Sequence, residues 1–280
     1  MQFERLISIT PGAEIMNSLL TLDTIRFEST NESEQSTNEL QRREDILKMN
    51  METVIDNEGA IAIVIRNWLP SEYAQNFHER LTQQIPWIQG QMNTSERTIQ
   101  IPRMMFFLGD DIIKSYSYSR LHFPVQSWNS LNSEKIEQSC TPCGKNNQAL
   151  YEEVEDIRNR IRNDIILKRI TGVELSYNSC LLNFYRNGND KIDPHSDREA
   201  LGPMNAVVTI SLGGTRKFVF KNKIKEANGR YRKIETMLNN GDLMLMVGRC
   251  QELWTHSVPR ENTQQSRISL TYRLIKEQIK

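Results

Sequence analysis

Apolar and polar residues alternate with a period of two through the second half of the chain, as in β-strands that bury one face. This pattern predicts strands at 173–186, 205–212, 216–225, 230–238, 242–247 and 266–275. Asn228-Gly229 and Asn240-Gly241 lie between such segments and are typical of hairpin turns. No helical pattern alternates with these strands, which argues against a parallel βαβ sheet. We therefore expect a mainly β, α+β fold with a jelly-roll core at about 173–276.

The first half mixes both patterns. The β-branched run 60–65 predicts a buried strand, and Ser71 is a candidate N-cap for a helix that ends before Pro86. Residues 91–125 predict short strands and loops, and 128–148 are polar and loop-like. A second helix from Leu150 is predicted by a single apolar stripe, comprising Leu150, Val154, Ile157, Ile161 and Ile165.

The N-terminal stretch has a different composition. Between Glu28 and Asp56 eight acidic residues stand against three basic ones, and few residues are apolar. Such a segment buries too little apolar surface to offset its ordering entropy. We predict that 1–56 is a flexible, largely disordered acidic tail, with a short helix near 40–51 as a further candidate. Order should begin near Gly59, in one domain at 57–280.

The composition limits the class of protein and its expected compartment. The chain has 280 residues, of which 25% are charged and 38% hydrophobic, and its formal net charge is zero. It contains no apolar run of about 18 residues, so no membrane span is expected. The start has no signal-peptide pattern, and four cysteines make no disulfide framework, so an intracellular protein, nuclear or cytoplasmic, is expected. Cys140 and Cys143 form a C-x-x-C pair, which we interpret as incidental, with redox or metal chemistry as the alternative.

Candidate chemistry begins at His195-Ser196-Asp197. Side chains two residues apart on an extended backbone share a face, so His195 and Asp197 can bind one metal ion together. His256, from a later strand, can supply a third ligand. Two histidines and one carboxylate leave open positions on an ion, an arrangement associated with non-haem Fe(II) oxygenases. The alternative is that the H-x-D triplet occurs by chance. The residues of the neighbouring strands help to decide between the two.

Two strands could hold a small dianion beside such an ion. In the last strand Arg267, Ser269, Thr271 and Arg273 alternate with apolar residues and therefore share one face. Two guanidinium groups on one face suit carboxylates bound bidentately, although a charged face can simply be the solvent side. Asn183 and Tyr185 likewise share a face of the strand before the triplet, and could add hydrogen bonds to the dianion.

The positive charge is concentrated in one hairpin. Eight basic residues and one acidic residue, Glu226, lie between 216 and 233 in a chain with no net charge. Such a hairpin could lie along nucleic-acid phosphates, with simple solvation as the alternative. The basic residues are Arg216, Lys217, Lys221, Lys223, Lys225, Arg230, Arg232 and Lys233.

Taken together, several ordered motifs resemble the AlkB family of Fe(II)- and 2-oxoglutarate-dependent nucleic-acid demethylases, closest to its DNA-repair branch. The resemblance covers about 60–276. It is carried by Asn183-Phe184-Tyr185, His195-Ser196-Asp197, Ser211-Leu212-Gly213, Arg216-Lys217-Phe218, Gly241-Asp242-Leu243, Trp254-Thr255-His256 and 267–273, and upstream by Ile101-Pro102-Arg103, Gly109-Asp110 and 116–119. It implies a double-stranded β-helix with a nucleotide-recognition lid at about 90–130.

The resemblance also implies roles for single residues. His195, Asp197 and His256 would hold Fe(II). Arg267, helped by Tyr185 and Ser269, would bind the C5 carboxylate of 2-oxoglutarate, with Arg273 and Asn183 near its C1 carboxylate. Dioxygen would be the second cosubstrate. The substrate contacts would be Tyr118 stacking on a flipped base, Glu199 near its exocyclic nitrogen, and Tyr116 and Arg103 touching base or backbone.

The expected function is oxidative removal of N-alkyl groups, such as those of 1-methyladenine and 3-methylcytosine, from DNA by a monomer. RNA is an alternative substrate for the same chemistry. A non-catalytic nucleic-acid-binding module is an alternative of another class, and it predicts a broken ligand triad or a missing 2-oxoglutarate arginine. This chain has neither defect. Contact with the nucleic-acid backbone is expected from Arg216, Lys217, Lys221 and Lys223.

Overall fold

The computed structural model describes residues 45, 49–93, 98–111, 113, 115–118, 121–128, 147–172, 175–197 and 206–275. The first strands are β1 Met51–Asn57, β2 Ala60–Ile65, β3 Gln91–Asn93, β4 Thr98–Gln100, β5 Met104–Gly109, β6 Ser115–Tyr118, β7 Leu121–Pro124 and β8 Gln126–Ser127. The later strands are β9 Ser179–Tyr185, β10 Ile192–His195, β11 Val207–Gly213, β12 Arg216–Lys225, β13 Tyr231–Leu238, β14 Leu243–Gly248, β15 Trp254–Val258 and β16 Arg267–Arg273. The helices are α1 Ser71–Gln84, α2 Gln148–Asn163, α3 Ile165–Thr171 and α4 Cys250–Leu253.

Two sheets form the body of the fold. The larger has eight strands in the order β1-β2-β14-β11-β16-β9-β5-β8, and the smaller has four in the order β10-β15-β12-β13. Neighbouring strands run antiparallel, except β5 and β8, which run parallel. Apart from the β12–β13 hairpin, successive strands from β9 to β16 alternate between the sheets, which is the connectivity of a jelly roll. The predicted fold class is confirmed.

The apolar residues divide into two layers. One packs the outer face of the larger sheet against α1 and α2, and it includes Phe77, Val154 and Leu270. The other lies between the two sheets and includes Phe220 and Trp254. Because helices cover one face of the larger sheet and the smaller sheet covers the other, all seven residues of β16 are buried. The polar face of β16 therefore points into the interior between the sheets and is not a solvent face.

The structure corrects three local predictions. Met51–Asn57 is a strand paired with β2, so order begins before Gly59 and the predicted tail cannot extend to residue 56. Ile165 is 45% exposed because α2 ends at Asn163 and a separate helix begins there. Pro70, not Ser71, occupies the N-cap of α1, and no side chain caps it.

Glycines shape the turns that join these strands. Gly241 has a φ of +84°, and a Cβ there would lie 2.3 Å from the Leu69 carbonyl oxygen. Only glycine fits this left-handed and crowded position. The predicted turns at Asn228-Gly229 and Asn240-Gly241 are both present. None of the helices in the described ranges is long and apolar enough to cross a bilayer.

Candidate active site

Three candidate metal ligands meet between the sheets. His195 ends β10, Asp197 follows it in the next loop, and His256 lies on β15. His195 and His256 are direct cross-strand partners, and their ring centroids are 4.3 Å apart. One ligand atom from each of the three residues lies within 4.8 Å of the others. The sequence-predicted convergence is therefore present.

Neighbouring groups orient these side chains. The Nδ1 atom of His195 lies 2.9 Å from the Asp193 carbonyl oxygen, which leaves Nε2 for a metal. The backbone N–H of Asp197 donates to Oε1 of Gln251 over 2.9 Å. The His256 ring stacks on Phe218, with centroids 5.5 Å apart and planes 11° apart. Asp197 and His256 are thus held by contacts from other parts of the fold, and His195 is held by its own strand.

The electrostatics keep the ligands in the protonation states that bind metals. Burial, and then the neighbouring His195, lower the pKa of His256 to about 3. Burial also lowers the pKa of His195. Burial alone would raise the pKa of Asp197, but Arg273 and the two histidines outweigh it and hold that pKa below its usual value. At neutral pH the cluster is therefore two neutral imidazoles and a carboxylate.

One orphaned atom tests whether a cation fits here. Oδ2 of Asp197 is buried and accepts no hydrogen bond from any described residue. It lies 3.5 Å from Nε2 of His256, and Oδ1 lies 3.8 Å from Nε2 of His195. Ligand atoms at about 2.1 Å from one octahedral ion lie about 3 Å apart, so these atoms need to close by less than about 1 Å. A buried carboxylate oxygen without a donor between two neutral imidazoles fits a divalent metal.

A second buried arginine lies on β16 of the larger sheet. Arg267 is 1% exposed, its Nε donates to Ser211 Oγ over 2.8 Å, and its guanidinium carbon lies 5.4 Å from the Tyr185 ring centroid. Its Nη1 atom is buried without a hydrogen-bond partner among the described residues. Leaving such a donor unpaired is costly, so this arginine fits a carboxylate ligand.

Further polar residues continue the same face. Ser269 on β16 pairs with Asn183 on β9, as Arg267 pairs with Tyr185. Nε of Arg103 donates to Asn183 Oδ1 over 2.7 Å, and Nη2 of Arg273 donates to Asp197 Oδ1 over 2.7 Å. The predicted 2-oxoglutarate residues therefore form one buried patch that reaches the metal ligands through Arg273.

Arg103 was predicted to touch a base or the nucleic-acid backbone, but it is buried. It is 3% exposed, so its guanidinium belongs to this buried patch, and a phosphate on the protein surface is out of its reach. Its predicted contact with a base stays a prediction.

The basic hairpin consists of β12 and β13. The prediction that Arg216 contacts phosphate is wrong, because that side chain is 1% exposed and bonded within the protein. Lys217 pairs with Glu235 at 2.9 Å, and the Lys223 ammonium donates to the Gln251 carbonyl oxygen over 2.8 Å. Lys221 lies directly across from Lys233 and also over the Tyr231 ring.

Several predicted residues cannot be compared. Tyr116 and Tyr118 lie on β6, but their side chains fall outside the described part of the structure. Glu199, Cys140 and Cys143 lie outside the described residues altogether. Their assigned roles stay predictions.

Two contacts of the site were not expected from the sequence. Gln251 holds the backbone of Asp197, yet it lies in a four-residue helix with no pattern that marks it. Ser211 holds Arg267. Ser211 lies in the motif Ser211-Leu212-Gly213, but only the pairing of β11 with β16 reveals its partner.

Comparison with known proteins agrees with this geometry. The sequence profile of the 2OG-Fe(II) oxygenase superfamily matches residues 62–273. Alpha-ketoglutarate-dependent dioxygenase alkB homolog 3 of Homo sapiens is 31% identical over 204 residues, which are 70% of this chain and 60% of that protein. DNA oxidative demethylase ALKBH2 of Arabidopsis thaliana is 25% identical over 243 residues, 80% of this chain and 69% of that protein.

A solved structure described as "The structure of OsALKBH1" aligns with 19% identity and a TM-score of 0.42, over 76% of this chain and 97% of that one. The chain spans about three fifths of the length of the alkB homolog 3 proteins that it matches. The superfamily's Fe(II) and 2-oxoglutarate are the cofactors that the sequence predicted. The profile match covers most of the chain, and the curated relatives are alkB homologues, so this protein belongs to the 2OG-Fe(II) oxygenase superfamily as an AlkB-like member.

Proposed function

We propose that this protein is an intracellular Fe(II)- and 2-oxoglutarate-dependent dioxygenase that removes N-alkyl groups from nucleic-acid bases, with DNA as the favoured substrate. The observation that carries the proposal is the buried cluster of His195, Asp197 and His256, together with Arg267 on the strand whose Arg273 contacts Asp197. Nη1 of Arg267 has no partner in the described part of the chain. A non-catalytic binding module has no reason to bury these unpaired groups together.

The protein's own residues have distinct parts in this reaction. His195, Asp197 and His256 would hold iron. Arg267 would bind the far carboxylate of 2-oxoglutarate, and Arg273 would stabilise Asp197 and face the near carboxylate. Fe(II), with 2-oxoglutarate and dioxygen, would supply the oxidation: one oxygen atom would hydroxylate the N-methyl group, which leaves as formaldehyde, and the other would enter succinate as 2-oxoglutarate loses CO2. Burial of the cluster keeps bulk water away from that chemistry.

We assign substrate selection to Tyr118 and Glu199. A methyl group on the pairing edge of a base is reached only when the base leaves the stack, which costs a few kcal/mol, and least for a base that cannot pair. Stacking on Tyr118 would return about 1–3 kcal/mol. The Glu199 carboxylate would favour cationic lesions such as 1-methyladenine and 3-methylcytosine.

The basic hairpin would hold the phosphate backbone. Lys221 and Lys233 face each other across β12 and β13, and like charges in that position repel unless an anion lies near them. The names of relatives include a DNA oxidative demethylase, which supports DNA over RNA as the substrate. Lys217 and Lys223, which have partners within the protein, would contribute less to phosphate binding than Lys221.

The test is formaldehyde release with Fe(II) and 2-oxoglutarate on matched DNA and RNA oligonucleotides that carry 1-methyladenine or 3-methylcytosine. DNA should turn over faster than RNA, and His195→Ala should abolish turnover. Faster turnover of RNA would identify RNA as the substrate. No turnover on any oligonucleotide, with His195→Ala indistinguishable from the parent, would refute the proposal.

The role of Glu199 has its own test. Glu199→Gln keeps the size and removes the charge, so turnover of the cationic 1-methyladenine should fall more than turnover of the neutral 1-methylguanine. An equal fall on both bases would contradict a charge-based selection. Tyr118→Leu, which removes the aromatic face, should instead lower turnover of both bases by similar factors.

A further inference from the structure

Arg216 is a fully buried arginine with an unusual number of backbone partners. Its Nη2 donates to the carbonyl oxygens of Asp190, over 2.9 Å, and of Pro259, over 2.6 Å. Its Nη1 donates to the Asn187 carbonyl oxygen over 3.2 Å, and its Nε donates to Glu261 over 2.9 Å. A planar guanidinium with fixed donors is suited to joining several chain segments at once.

These partners belong to the two segments that carry the metal-binding histidines. Asp190 lies just before β10, which ends at His195, and Pro259 directly follows β15, which carries His256. The two strands pair at Ile192 with Val258 and at His195 with His256, with an irregularity between these pairs. Arg216 therefore joins the strands just beyond the Ile192–Val258 end of a short ladder, where the strands have few bonds of their own.

The Arg216 guanidinium also lies over the ring of Tyr185, a predicted 2-oxoglutarate residue. Its carbon lies 5.5 Å from the centroid of the Tyr185 ring, and the guanidinium carbon of Arg267 lies 5.4 Å from the same centroid. Glu261 neutralises Arg216 at 2.9 Å. Arg267 has no such carboxylate among the described residues. Of the two arginines on Tyr185, only Arg267 is left with an unpaired donor for an anionic ligand.

We propose that Arg216 is a positioning residue for both halves of the site: it holds the strands of His195 and His256 in register and fixes Tyr185 against Arg267. This rests on the metal and 2-oxoglutarate sites of the proposed function, but not on its nucleic-acid substrate. The sequence suggested that Arg216 binds phosphate; we instead assign it to holding the site residues in place.

The test uses the full chain, with Mn²⁺ as a redox-inert substitute for Fe(II), and measures Mn²⁺ and 2-oxoglutarate affinities calorimetrically well below the Tm. Arg216→Lys keeps the charge but cannot make the four bonds. We expect Arg216→Lys to weaken Mn²⁺ binding about tenfold or more, because losing a group that orients metal ligands typically has an effect of this size. We also expect it to weaken 2-oxoglutarate binding at saturating Mn²⁺.

Arg66→Lys is the matched control. Arg66 also joins separate strands through a backbone carbonyl, that of Met237, and a buried carboxylate, that of Asp242, but it contacts none of the site residues named above. Because the Arg66 side chain is 27% exposed and that of Arg216 only 1%, Arg66→Lys should lower the Tm by less, and it should leave both affinities at the parent's values. Parent-like affinities in Arg216→Lys, despite a lowered Tm, would overturn the proposal.

A milder variant covers the case in which Arg216→Lys does not fold. Glu261→Ala removes the acceptor of Arg216 Nε and of the Lys217 backbone N–H, and it leaves the three bonds from Arg216 to backbone carbonyls, so a smaller loss of Mn²⁺ affinity is expected. Parent-like Mn²⁺ affinity in Glu261→Ala would then overturn the proposal. A parent that binds neither Mn²⁺ nor 2-oxoglutarate would refute the proposed function itself, which distinguishes the two failures.

Discussion

Replacement of Arg267 by methionine isolates the recognition of the far carboxylate of 2-oxoglutarate. Methionine has a similar length and no charge. In the absence of ligand the loss of the Nε bond to Ser211 is offset by removal of a buried cation, so the free energy of unfolding should change little. The effect should appear only when the ligand is present, because the unpaired Nη1 has its partner only then.

The expected magnitude follows from two charge-assisted hydrogen bonds of about 1.5 kcal/mol each. Their loss, about 3 kcal/mol, raises the Kd for 2-oxoglutarate roughly 150-fold. At about 100 times the parent's Kd, the ligand stabilises the parent by about 2.7 kcal/mol and the variant by only about 0.3 kcal/mol. For a domain of this size the parent's Tm should rise by about 5–10 °C and the variant's by about 1 °C.

The assay is thermal unfolding with Mn²⁺, with and without 2-oxoglutarate. Arg80→Met is the control, because Arg80 pairs with Glu153 between helices outside the site. It should lower the Tm slightly and keep the parent's ligand-induced rise. A full ligand-induced rise in Arg267→Met would refute the assignment of Arg267 to the carboxylate.

Three further outcomes follow from contacts in and near the site. The unfolded His256 imidazole takes up a proton near pH 6.5, whereas the folded one has a pKa of about 3, so the metal-free protein should lose stability as the pH falls below about 6.5. Denaturant titrations from pH 7 to 5 should show a shallower loss for His256→Asn. Gln251→Ala should weaken Mn²⁺ binding about tenfold, measured by calorimetry, because it frees the Asp197 backbone. Lys221→Glu should lower DNA affinity and the slope of its salt dependence in fluorescence anisotropy titrations, whereas Lys217→Ala, whose charge is already paired with Glu235, should change both less.

Much of the fold could be predicted because polar and apolar faces alternate along several strands of the second half. Along parts of β12 and β13 more exposed positions alternate with more buried ones, and in β16 the polar face lies in the interior with the candidate site residues. β1 was missed because Met51–Asn57 is an edge strand with mostly half-exposed or exposed positions, so its pattern lacks an apolar face. Ile165 was misplaced because a helix break at Asp164 leaves the apolar spacing unchanged while it changes the direction of the chain.

Some residues of the candidate site could also be predicted from the sequence, and others could not. His195 and Asp197 could be predicted as a pair because their spacing alone puts them on one face, and the alternation in 267–273 put Arg267 and Arg273 on another. Arg216 could not be assigned correctly, because a basic residue at the start of a basic strand carries no sign of its burial. Its exposure is decided by segments after β9 and β15 that are distant in sequence.

The placement of the ligand-binding groups on opposite sheets has a consequence for the lifetime of the protein. His195 and His256 lie on the four-stranded sheet, whereas Arg267 and Arg273 lie on the eight-stranded one. A metal with bound 2-oxoglutarate would bridge the sheets and oppose their local separation. Amide hydrogens of β10 and β15 should therefore exchange more slowly when both are bound. Since proteolysis tracks the opened fraction, the cellular half-life of the protein should rise with the supply of 2-oxoglutarate.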